Sequence, residues 1–336
     1  MIMVARVAPK RTAFRGLRPL DPARDLGQLA NLIEEAFGDD LGDEGRAALQ
    51  DLRTFSRLGP LVLLLDHVSP EFHENLSGFV WIEDGRVVGN VTVAPAGALS
   101  RRWMISNVAV AQAYRGKGIG RQLVAAAVEE VRLAGGEEVL LRVRVDNEVA
   151  RRLYEGLGFK WVTAITEMEL AAVGTVSPVS AEGFVLQPRR YSAWRQEMEL
   201  AREAIPAGVQ RLQPVHAGAY RFDFDQRLGR WLGHLFAGRV EHRLAIADGE
   251  RFLATMDVII ARWRGFHRLA LMIHPDYRGR LDEMLISTGL HLCSRYPGRS
   301  VRIKLPTEYA EAIAVLRRYG FVEQKTLALM HLVLKP

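Results

Sequence analysis

Cysteine and long apolar runs are both scarce in this sequence. Cys293 is the single cysteine among 336 residues, which excludes an internal disulfide and is typical of a protein in a reducing cytoplasm. Its leucine-rich helical surroundings predict a buried core residue rather than an acyl-carrying nucleophile. The longest apolar stretch, residues 61–65, is too short to cross a bilayer, and residues 1–16 lack the continuous apolar segment of a signal peptide. We therefore expect a cytoplasmic protein without a membrane segment.

Metal-ligand spacings and long blocks of one charge are missing too. The nine histidines show no ligand pattern, and we interpret His67 and His73 as surface loop groups. The net charge is +6, but the arginines are dispersed along the chain. Residues 262–268 interleave arginine with aromatic residues, as single-strand nucleic-acid binders do. An arginine-rich surface that attracts a polyanionic ligand is the simpler interpretation, so the sequence predicts no metal and disfavours a nucleic-acid partner.

A glycine-rich loop stands between a predicted strand and a predicted helix. The strand is the β-branched run 104–110, and the helix covers residues 122–131. Between them, residues 114–120 read Tyr-Arg-Gly-Lys-Gly-Ile-Gly. Because the first N–H groups of a helix have no partner inside it, such a loop can bind a phosphate.

The composition of this loop narrows the choice of ligand. Gly118 and Gly120 allow close approach of the backbone, and Arg115 and Arg121 can add charge-assisted bonds. A Walker loop needs Gly-Lys-Ser/Thr and a dinucleotide fingerprint needs Gly-x-Gly-x-x-Gly, and the loop has neither. Taken alone, it could equally be an ordinary turn before a surface helix.

A second motif follows at the end of the next predicted strand. Residues 139–145 alternate like a strand with one buried face, and Asp146 and Asn147 lie at its carboxyl end. The helix predicted over 148–157 has one largely apolar face, after which Gly158 suits a left-handed cap. That face consists of Ala150, Leu153, Tyr154 and Leu157.

In this order the two motifs resemble those of the GNAT superfamily of acetyl-CoA-dependent N-acyltransferases. The family's loop pattern, Arg/Gln-x-x-Gly-x-Gly/Ala, matches Arg115, Gly118 and Gly120. Its downstream pattern is Asn-x-x-Ala-x-x-Leu-Tyr-x-x-x-Gly-Phe. The residues that match it are Asn147, Ala150, Leu153, Tyr154, Gly158 and Phe159.

The resemblance implies a role for each matched region. Residues 108–110 would bind the pantetheine amides through the strand edge, and the loop amides from 115 to 120 would bind the pyrophosphate. The N–H of Val110 would polarise the thioester carbonyl, and Tyr154 would protonate the departing thiolate. The alternative for Tyr154 is an aromatic side chain that packs its helix on the sheet. The implied acetyl-CoA site comprises Val108, Val110, Arg115, Gly116, Lys117, Gly118, Ile119, Gly120, Arg121, Asn147 and Tyr154.

No motif marks the general base. A substrate ammonium must lose a proton before it attacks, and Glu34, Glu35, Glu83 and Asp146 are candidates by position. A bound water is the other possibility. The acceptor amine (a small molecule or a protein amino group), the acyl-chain length and the oligomeric state stay open. A leucine-rich insertion before the hairpin at Asp84 could shape the acceptor pocket or pack against the rest of the chain.

The chain is also internally repeated. Residues 277–280 repeat residues 114–117 at an offset of 163, and residues 318–321 repeat residues 156–159 at an offset of 162. We predict a tandem duplication, with domains at 1–172 and 184–336 and a linker at 173–183. The resemblance then implies an α/β (α+β) fold of two GNAT-like domains, each a mixed, mostly antiparallel sheet flanked by helices.

The second copy departs from the pattern at its functional positions. The second loop continues Leu281-Asp282-Glu283, so both later glycines are gone and one residue is missing, and Leu316 stands where the first copy has Tyr154. Because Asp282 and Glu283 would place negative charge where a phosphate binds, we predict that the first half alone is catalytic. The predicted reaction is direct attack of an amine on acetyl-CoA.

Three alternatives stay in view. An acyl-CoA-binding sensor or scaffold would not need the Tyr154 hydroxyl. An acyltransferase that uses another acyl-CoA would keep the same loop. A nucleic-acid-binding module would act through residues 262–268 and would be sensitive to salt.

Overall fold

The computed structural model describes residues 14–38, 43–57, 77–96 and 101–334. Contacts between residues divide the chain into two units. Unit 1 comprises the chain up to Arg142, Glu148–Lys160 and the residues from Met330 onward, and unit 2 comprises Val143–Asn147 and Trp161–Leu329. The boundaries at 172 and 184 describe the repeat in the sequence and stay a prediction. His67, His73 and residues 61–65 lie outside the described residues.

Both halves contain helices and strands. The elements of the first half are β1 (Gly16–Pro19), α1 (Pro22–Phe37), α2 (Asp43–Arg57), β2 (Gly78–Glu83), β3 (Arg86–Pro95), β4 (Arg102–Val110), α3 (Ile119–Leu133), β5 (Glu138–Arg144), α4 (Glu148–Glu155) and β6 (Lys160–Leu170). The elements of the second half are β7 (Leu186–Pro188), α5 (Trp194–Ala204), α6 (Ala207–Leu212), α7 (Ala217–Tyr220), α8 (Phe224–Phe236), β8 (Arg239–Asp248), β9 (Arg251–Ala261), β10 (His267–Ile273), α9 (Asp282–Cys293), β11 (Val301–Pro306), α10 (Ala310–Arg318) and β12 (Val322–Val333).

The strands of each unit form a mixed and mostly antiparallel arrangement. In unit 1 the order is β1-β2-β3-β4-β5, followed by the end of β12, and the β4–β5 pair is parallel. In unit 2 the order is β7-β8-β9-β10-β11-β6, followed by the first part of β12, and the β10–β11 pair is parallel. The predicted α/β fold class is therefore confirmed.

Strand β6, the last of the first half, belongs largely to unit 2, and the end of β12, the last strand of the second half, belongs to unit 1. Strand β6 pairs with β11, from Leu170 opposite Val301 to Ile165 opposite Pro306. At the end of β12, the Leu334 N–H donates to the Glu137 carbonyl at 2.8 Å, and His331 Nδ1 lies 2.7 Å from Glu138 Oε1. The repeat in the sequence did not predict this exchange, because an offset between two copies does not say which strands pair.

Helix α1 forms where capping and patterning agree. Asp21 accepts a hydrogen bond from the Ala23 N–H, and Pro22 occupies the first turn, where its missing N–H costs nothing. The Arg18 guanidinium makes two hydrogen bonds to the buried Asp25 carboxylate, at 2.6 and 2.7 Å. The buried face of α1 consists of Asp25, Leu26, Leu29, Ala30, Leu32 and Ile33. The helix is thereby fixed over the sheet next to β3 and β4.

The joint between the two sequence copies packs on the core of unit 2. Val173 is 3 % exposed and belongs to that core, and Val176 packs against it. The Val179 N–H donates to Ser287 Oγ at 2.9 Å. Cys293 is fully buried, as the sequence predicted, and burial raises the pKa of its thiol to about 12. That thiol is therefore a packing group and not a nucleophile.

Candidate functional site

Strands β4 and β5 pair along only part of their length. Their parallel register runs from Arg102 opposite Glu138 to Ile105 opposite Leu141, whereas β4 continues to Val110. Beyond Ile105, the side of β4 that faces β5 has no strand partner among the described residues. This edge of β4, residues 106–110, is called the open edge below.

A β-bulge lies within the open edge. Ile105 is opposite Val93 and Ala109 is opposite Asn90, so three residues of β4 face two of β3. Asn107 accommodates the extra residue with a φ of 51°, a left-handed conformation that asparagine tolerates better than most residues. Its Nδ2 donates to Thr92 Oγ1 at 3.2 Å, and Asn90 Nδ2 donates to the Asn107 carbonyl at 3.0 Å.

The bulge directs two backbone N–H groups toward the open edge. The Ala111 N–H donates to the Val88 carbonyl at 2.9 Å, so in the alternating antiparallel pattern the Val110 N–H points away from β3. The Asn107 carbonyl faces Asn90, and in a trans peptide the next N–H points the opposite way. The N–H groups of Val108 and Val110 therefore both lie on the side of β4 that β5 leaves uncovered.

The glycine loop presents a row of backbone donors directly after β4. A short 3₁₀ turn at Gln112–Tyr114 leads to Gly116 and Gly118, whose φ angles of 76° and 77° favour glycine. Among the described residues, no hydrogen bond is made by the backbone N–H groups from Gly116 to Arg121. A Cβ on Gly116 or Gly118 would meet nothing within 4 Å, so the surface there is open. Such a row at the start of α3 suits a phosphate group.

The cationic side chains of the loop make contacts that sequence reasoning missed. Arg115 Nε donates to the Val110 carbonyl at 3.0 Å, and Arg121 Nη2 donates to the Gly156 carbonyl at 3.1 Å. Lys117 Nζ lies 4.7 Å from the centre of the Tyr114 ring. Arg115 thus fixes the loop to the end of β4, and Arg121 ties α3 to the end of α4. Each guanidinium keeps further N–H groups for a ligand.

Helix α4 packs at the junction of the loop and the open edge. A Cβ built on Gly120 would lie 3.3 Å from Leu153 Cδ1 and 3.7 Å from Val110 Cγ2. The side chain at residue 120 must therefore be small for α4 to approach. Gly158 ends the turn after α4 with a φ of 93°, as the sequence predicted.

Tyr154 follows Leu153 on α4 and is 6 % exposed. Its ring meets the edge of Phe159 at a centroid distance of 6.0 Å. Its hydroxyl makes no hydrogen bond to the described part of the chain. Burial raises the pKa of Tyr154 to about 12, so the hydroxyl carries its proton throughout the neutral range. The side chain therefore packs α4 and keeps its proton, and its catalytic role stays a prediction.

The region from the second half of α1 to Phe159, at the start of β6, matches a known family. The model of the Acetyltransferase (GNAT) family matches residues 31–159. The N-alpha-acetyltransferase of Saccharolobus solfataricus is 31% identical over 116 residues, which cover 32% of this chain and 68% of that protein. The chain belongs to the GNAT family. The predicted resemblance is therefore confirmed.

Other GNAT proteins extend the comparison to the whole chain. N-alpha-acetyltransferase 30 of Schizosaccharomyces pombe is 34% identical over 95 residues, and the match covers 28% of this chain and 60% of that protein. A GCN5-related N-acetyltransferase from Sphaerobacter thermophilus superposes with a TM-score of 0.61 at 18% identity, covering 95% of this chain and 96% of the other. A tandem GNAT protein from the clavulanic acid biosynthesis pathway gives a TM-score of 0.54 at 17% identity, covering 95% and 98%. At these identities the two structures establish the fold alone, in its tandem form.

The second loop, which repeats the start of the first in sequence, makes different use of its backbone donors. The Gly279 N–H donates to Asp282 Oδ2 at 2.5 Å, and the N–H groups of Arg280 and Leu281 donate to the Tyr277 carbonyl, each at 3.2 Å. Leu281 is fully buried and Asp282 is 1 % exposed. Burial raises the pKa of Asp282, although the Gly279 N–H opposes this shift. One side chain and one backbone carbonyl of the second loop thus accept N–H groups of the kind that are open in the first loop.

The four carboxylates proposed as general bases differ in their contacts. Glu83 lies 2.7 Å from Arg15 Nε and accepts from the Trp81 indole, a hydrogen bond that lowers its pKa. Glu34 pairs with Arg53, and Arg144 binds Asp146 through two nitrogens and lowers its pKa. Glu35 instead accepts the Gln112 N–H at 2.8 Å, two residues beyond Val110. Glu35 is thus the carboxylate that the structure brings to the end of the open edge.

Asn147 falls in unit 2, whereas the loop and Tyr154 belong to unit 1. Its side chain is exposed, and its N–H donates to the Arg144 carbonyl at 3.1 Å. Its role in cofactor binding stays a prediction. Over the described ranges, no helix is long and apolar enough to span a bilayer, and no group of three or more His, Cys, Asp and Glu side chains could hold a metal ion.

Proposed function

We propose that unit 1 is an N-acetyltransferase that transfers an acetyl group from acetyl-CoA to an amine. The observation that carries this proposal is the row of unbonded N–H groups from Gly116 to Arg121, which continues directly from the open edge of β4. The start of α3 also supplies about half a positive charge in addition to these N–H donors. The protein supplies both hydrogen-bond donors for a phosphate and a free strand edge, which suits a long ligand with an anionic end.

The open edge and the loop would divide the donor substrate between them. The N–H groups of Val108 and Val110 would bind the acyl end and the pantetheine arm as an added strand would. The loop from Arg115 to Gly120 would hold the pyrophosphate, with further charge from Lys117 and Arg121. Gly120 keeps the surface flat, because a larger residue would press on Leu153.

The chemistry follows from the placement of donors around the thioester. The amine nitrogen attacks the carbonyl carbon, the C–N bond forms and the C–S bond breaks. A backbone N–H of the open edge, that of Val110 or of Val108, stabilises the charge that develops on the carbonyl oxygen. Tyr154, protonated because of its raised pKa, donates its proton to the departing sulfur. The proton lost by the amine goes to a base.

Glu35 is the side chain proposed to accept that proton. The other three candidates bind arginine side chains, whereas Glu35 accepts a backbone N–H close to the end of β4. The acceptor would then approach between α1 and β4. The relatives named N-alpha-acetyltransferase point to protein α-amino groups as the first class of acceptor to test. Cytoplasmic location is part of this proposal.

Calorimetric titration with acetyl-CoA tests the donor site first. We expect one molecule bound per chain, because only the first loop has open donors among the described residues. Absence of binding at millimolar concentration would contradict the proposal, and parallel titrations with longer acyl-CoAs would show whether another donor is used. Two sites per chain would show that the second half also binds.

The Tyr154→Phe substitution separates an enzyme from a sensor. We expect kcat to fall about 100-fold or more because a positioned acid contributes 10²–10⁴ to the rate, with the acetyl-CoA affinity unchanged. The acceptors assayed are short peptides with free α-amino groups and, in parallel, small amines. Tyr309→Phe is the matched control, since that buried hydroxyl donates to the Ala204 carbonyl in unit 2 at 2.9 Å. Full activity of Tyr154→Phe would favour an acyl-CoA-binding scaffold or a different acid.

A further inference from the structure

We propose that Asn90, Thr92 and Asn107 are positioning residues that hold the β4 bulge and thereby aim the Val108 N–H at the acyl thioester. These three side chains are called the bulge network. This proposal rests on the proposed function and concerns the same donor site. The three polar side chains take no part in the chemical steps and act only through the backbone that they hold.

The bulge network replaces strand hydrogen bonds that the extra residue removes. Asn107 Nδ2 donates to Thr92 Oγ1 at 3.2 Å, and Asn90 Nδ2 donates to the Asn107 carbonyl at 3.0 Å. Asn90 is fully buried and Thr92 is 5 % exposed, so these two partners of the exposed Asn107 are themselves shielded from water. A buried polar pair within a sheet would lower stability if it served no bond, which makes a specific role for it reasonable.

The bond from Asn90 fixes the orientation of one peptide group. Because the Asn107 carbonyl is held toward Asn90, the N–H of the same peptide, on Val108, must point to the opposite side. That side is the open edge, where the Val110 N–H also points. If the peptide rotated, the Val108 N–H would leave the edge while the glycine loop stayed in place.

The second half of the molecule provides an internal comparison. There β10 pairs with β9 in an unbroken register, from Arg268 opposite Ile259 to Ile273 opposite Ala254. Thr255 is opposite Met272, as Asn90 is opposite Ala109, and therefore stands at the position of Asn90. By the same alignment Asp257 stands at the position of Thr92, and it binds Arg189 at 2.5 Å instead. The bulge and the network that holds it are thus present together in one half and replaced together in the other.

The Asn90 side chain offers a nearly isosteric test. Its Oδ1 is buried and makes no hydrogen bond within the described residues, so its contribution to the bulge comes from Nδ2. Asn90→Asp keeps the shape but replaces this donor with an acceptor that faces the Asn107 carbonyl. Thr92→Val likewise keeps the shape and removes the acceptor for Asn107 Nδ2.

Infrared difference spectroscopy of bound acetyl-CoA, labelled with ¹³C at the acetyl carbonyl, measures the proposed effect directly. A hydrogen bond lowers the C=O stretching frequency of the thioester. We expect a lowered frequency in the parent protein and a return toward the value for free acetyl-CoA in Asn90→Asp and Thr92→Val. We expect kcat to fall about 10- to 100-fold, somewhat less than for loss of an oxyanion donor. Affinity for CoA, which lacks the acyl group, should be unchanged, which shows that the loop is intact.

Three further variants separate positioning from folding. Asn107→Gly retains the left-handed backbone and should keep more of the frequency shift than Asn107→Val, which disfavours that backbone. Thr255→Val, at the matching position of β9, should leave the spectrum and kcat unchanged. If the carbonyl frequency in Asn90→Asp and Thr92→Val equalled that in the parent protein, with CoA still bound, the proposal would be overturned. Failure of the parent protein to bind acetyl-CoA would instead overturn the proposed function.

Discussion

The two glycine loops of this protein start from the same sequence and end in opposite chemical states. In the first, the backbone donors from Gly116 to Arg121 have no partner among the described residues. In the second, the Asp282 carboxylate accepts the Gly279 N–H, and the next donors bind a carbonyl of the same loop. The N–H donors at a helix start can thus be left open for a ligand or be bonded by acceptors of the same loop.

The largest expected effect comes from giving the first loop an acidic side chain. Gly120→Glu would press on Leu153 and bring a carboxylate to the pyrophosphate donors. We expect acetyl-CoA affinity to fall about 100-fold or more, as expected for loss of charge-assisted bonds together with added repulsion. Calorimetry measures the change, and Arg280→Glu in the second loop is the control with unchanged affinity. Equal losses in both variants would remove the distinction between the loops.

The second effect concerns the buried Tyr154 and appears at high pH. Unfolded tyrosine ionises near pH 10, whereas folded Tyr154 ionises near pH 12, so between these values the unfolded state loses its proton first. Raising the pH therefore favours unfolding, by about 1.4 kcal/mol per unit and at most about 3 kcal/mol. Urea unfolding at pH 9 to 11 should show a shallower loss of stability in Tyr154→Phe than in the parent protein. Equal slopes would show that Tyr154 is not buried in solution.

The smallest effect is expected from opening the second loop. Asp282→Ala leaves the Gly279 N–H without its acceptor, which should lower the free energy of unfolding by about 2 kcal/mol. Urea unfolding at neutral pH measures this loss. The number of acetyl-CoA sites per chain should stay the same, because Leu281 still fills the loop. A second calorimetric site in this variant would mean that Asp282 alone closes the second half.

Short-range features of the site were predictable from the sequence. The loop at 114–120, the helix that carries Tyr154 and the left-handed turn at Gly158 depend on glycine positions and on helical spacing. These signals act over a few residues, so one sequence reveals them. The negative charge at Asp282 was also foreseen, although its hydrogen bond to Gly279 was not.

Features that depend on distant pairing were not predictable. The β4 bulge needs Asn90, Thr92 and Asn107 to meet, and they come together only when β3 pairs with β4. Asparagine in the middle of an apolar strand at residue 107 was the one local signal. Likewise, Arg115 and Arg121 were assigned to phosphate by charge, whereas their bonds to the carbonyls of Val110 and Gly156 depend on how helices pack.

The exchange of end strands has a consequence for biosynthesis. His331, beside Glu138 in unit 1, is 193 residues later in the chain. At 5–20 residues per second, translation reaches it about 10 to 40 s after the strand that it completes. Until then the edge of β5 lacks this neighbour, and we expect the proposed donor site to mature after synthesis of the second half. A working first unit is therefore a sign that translation has continued through the last described strand.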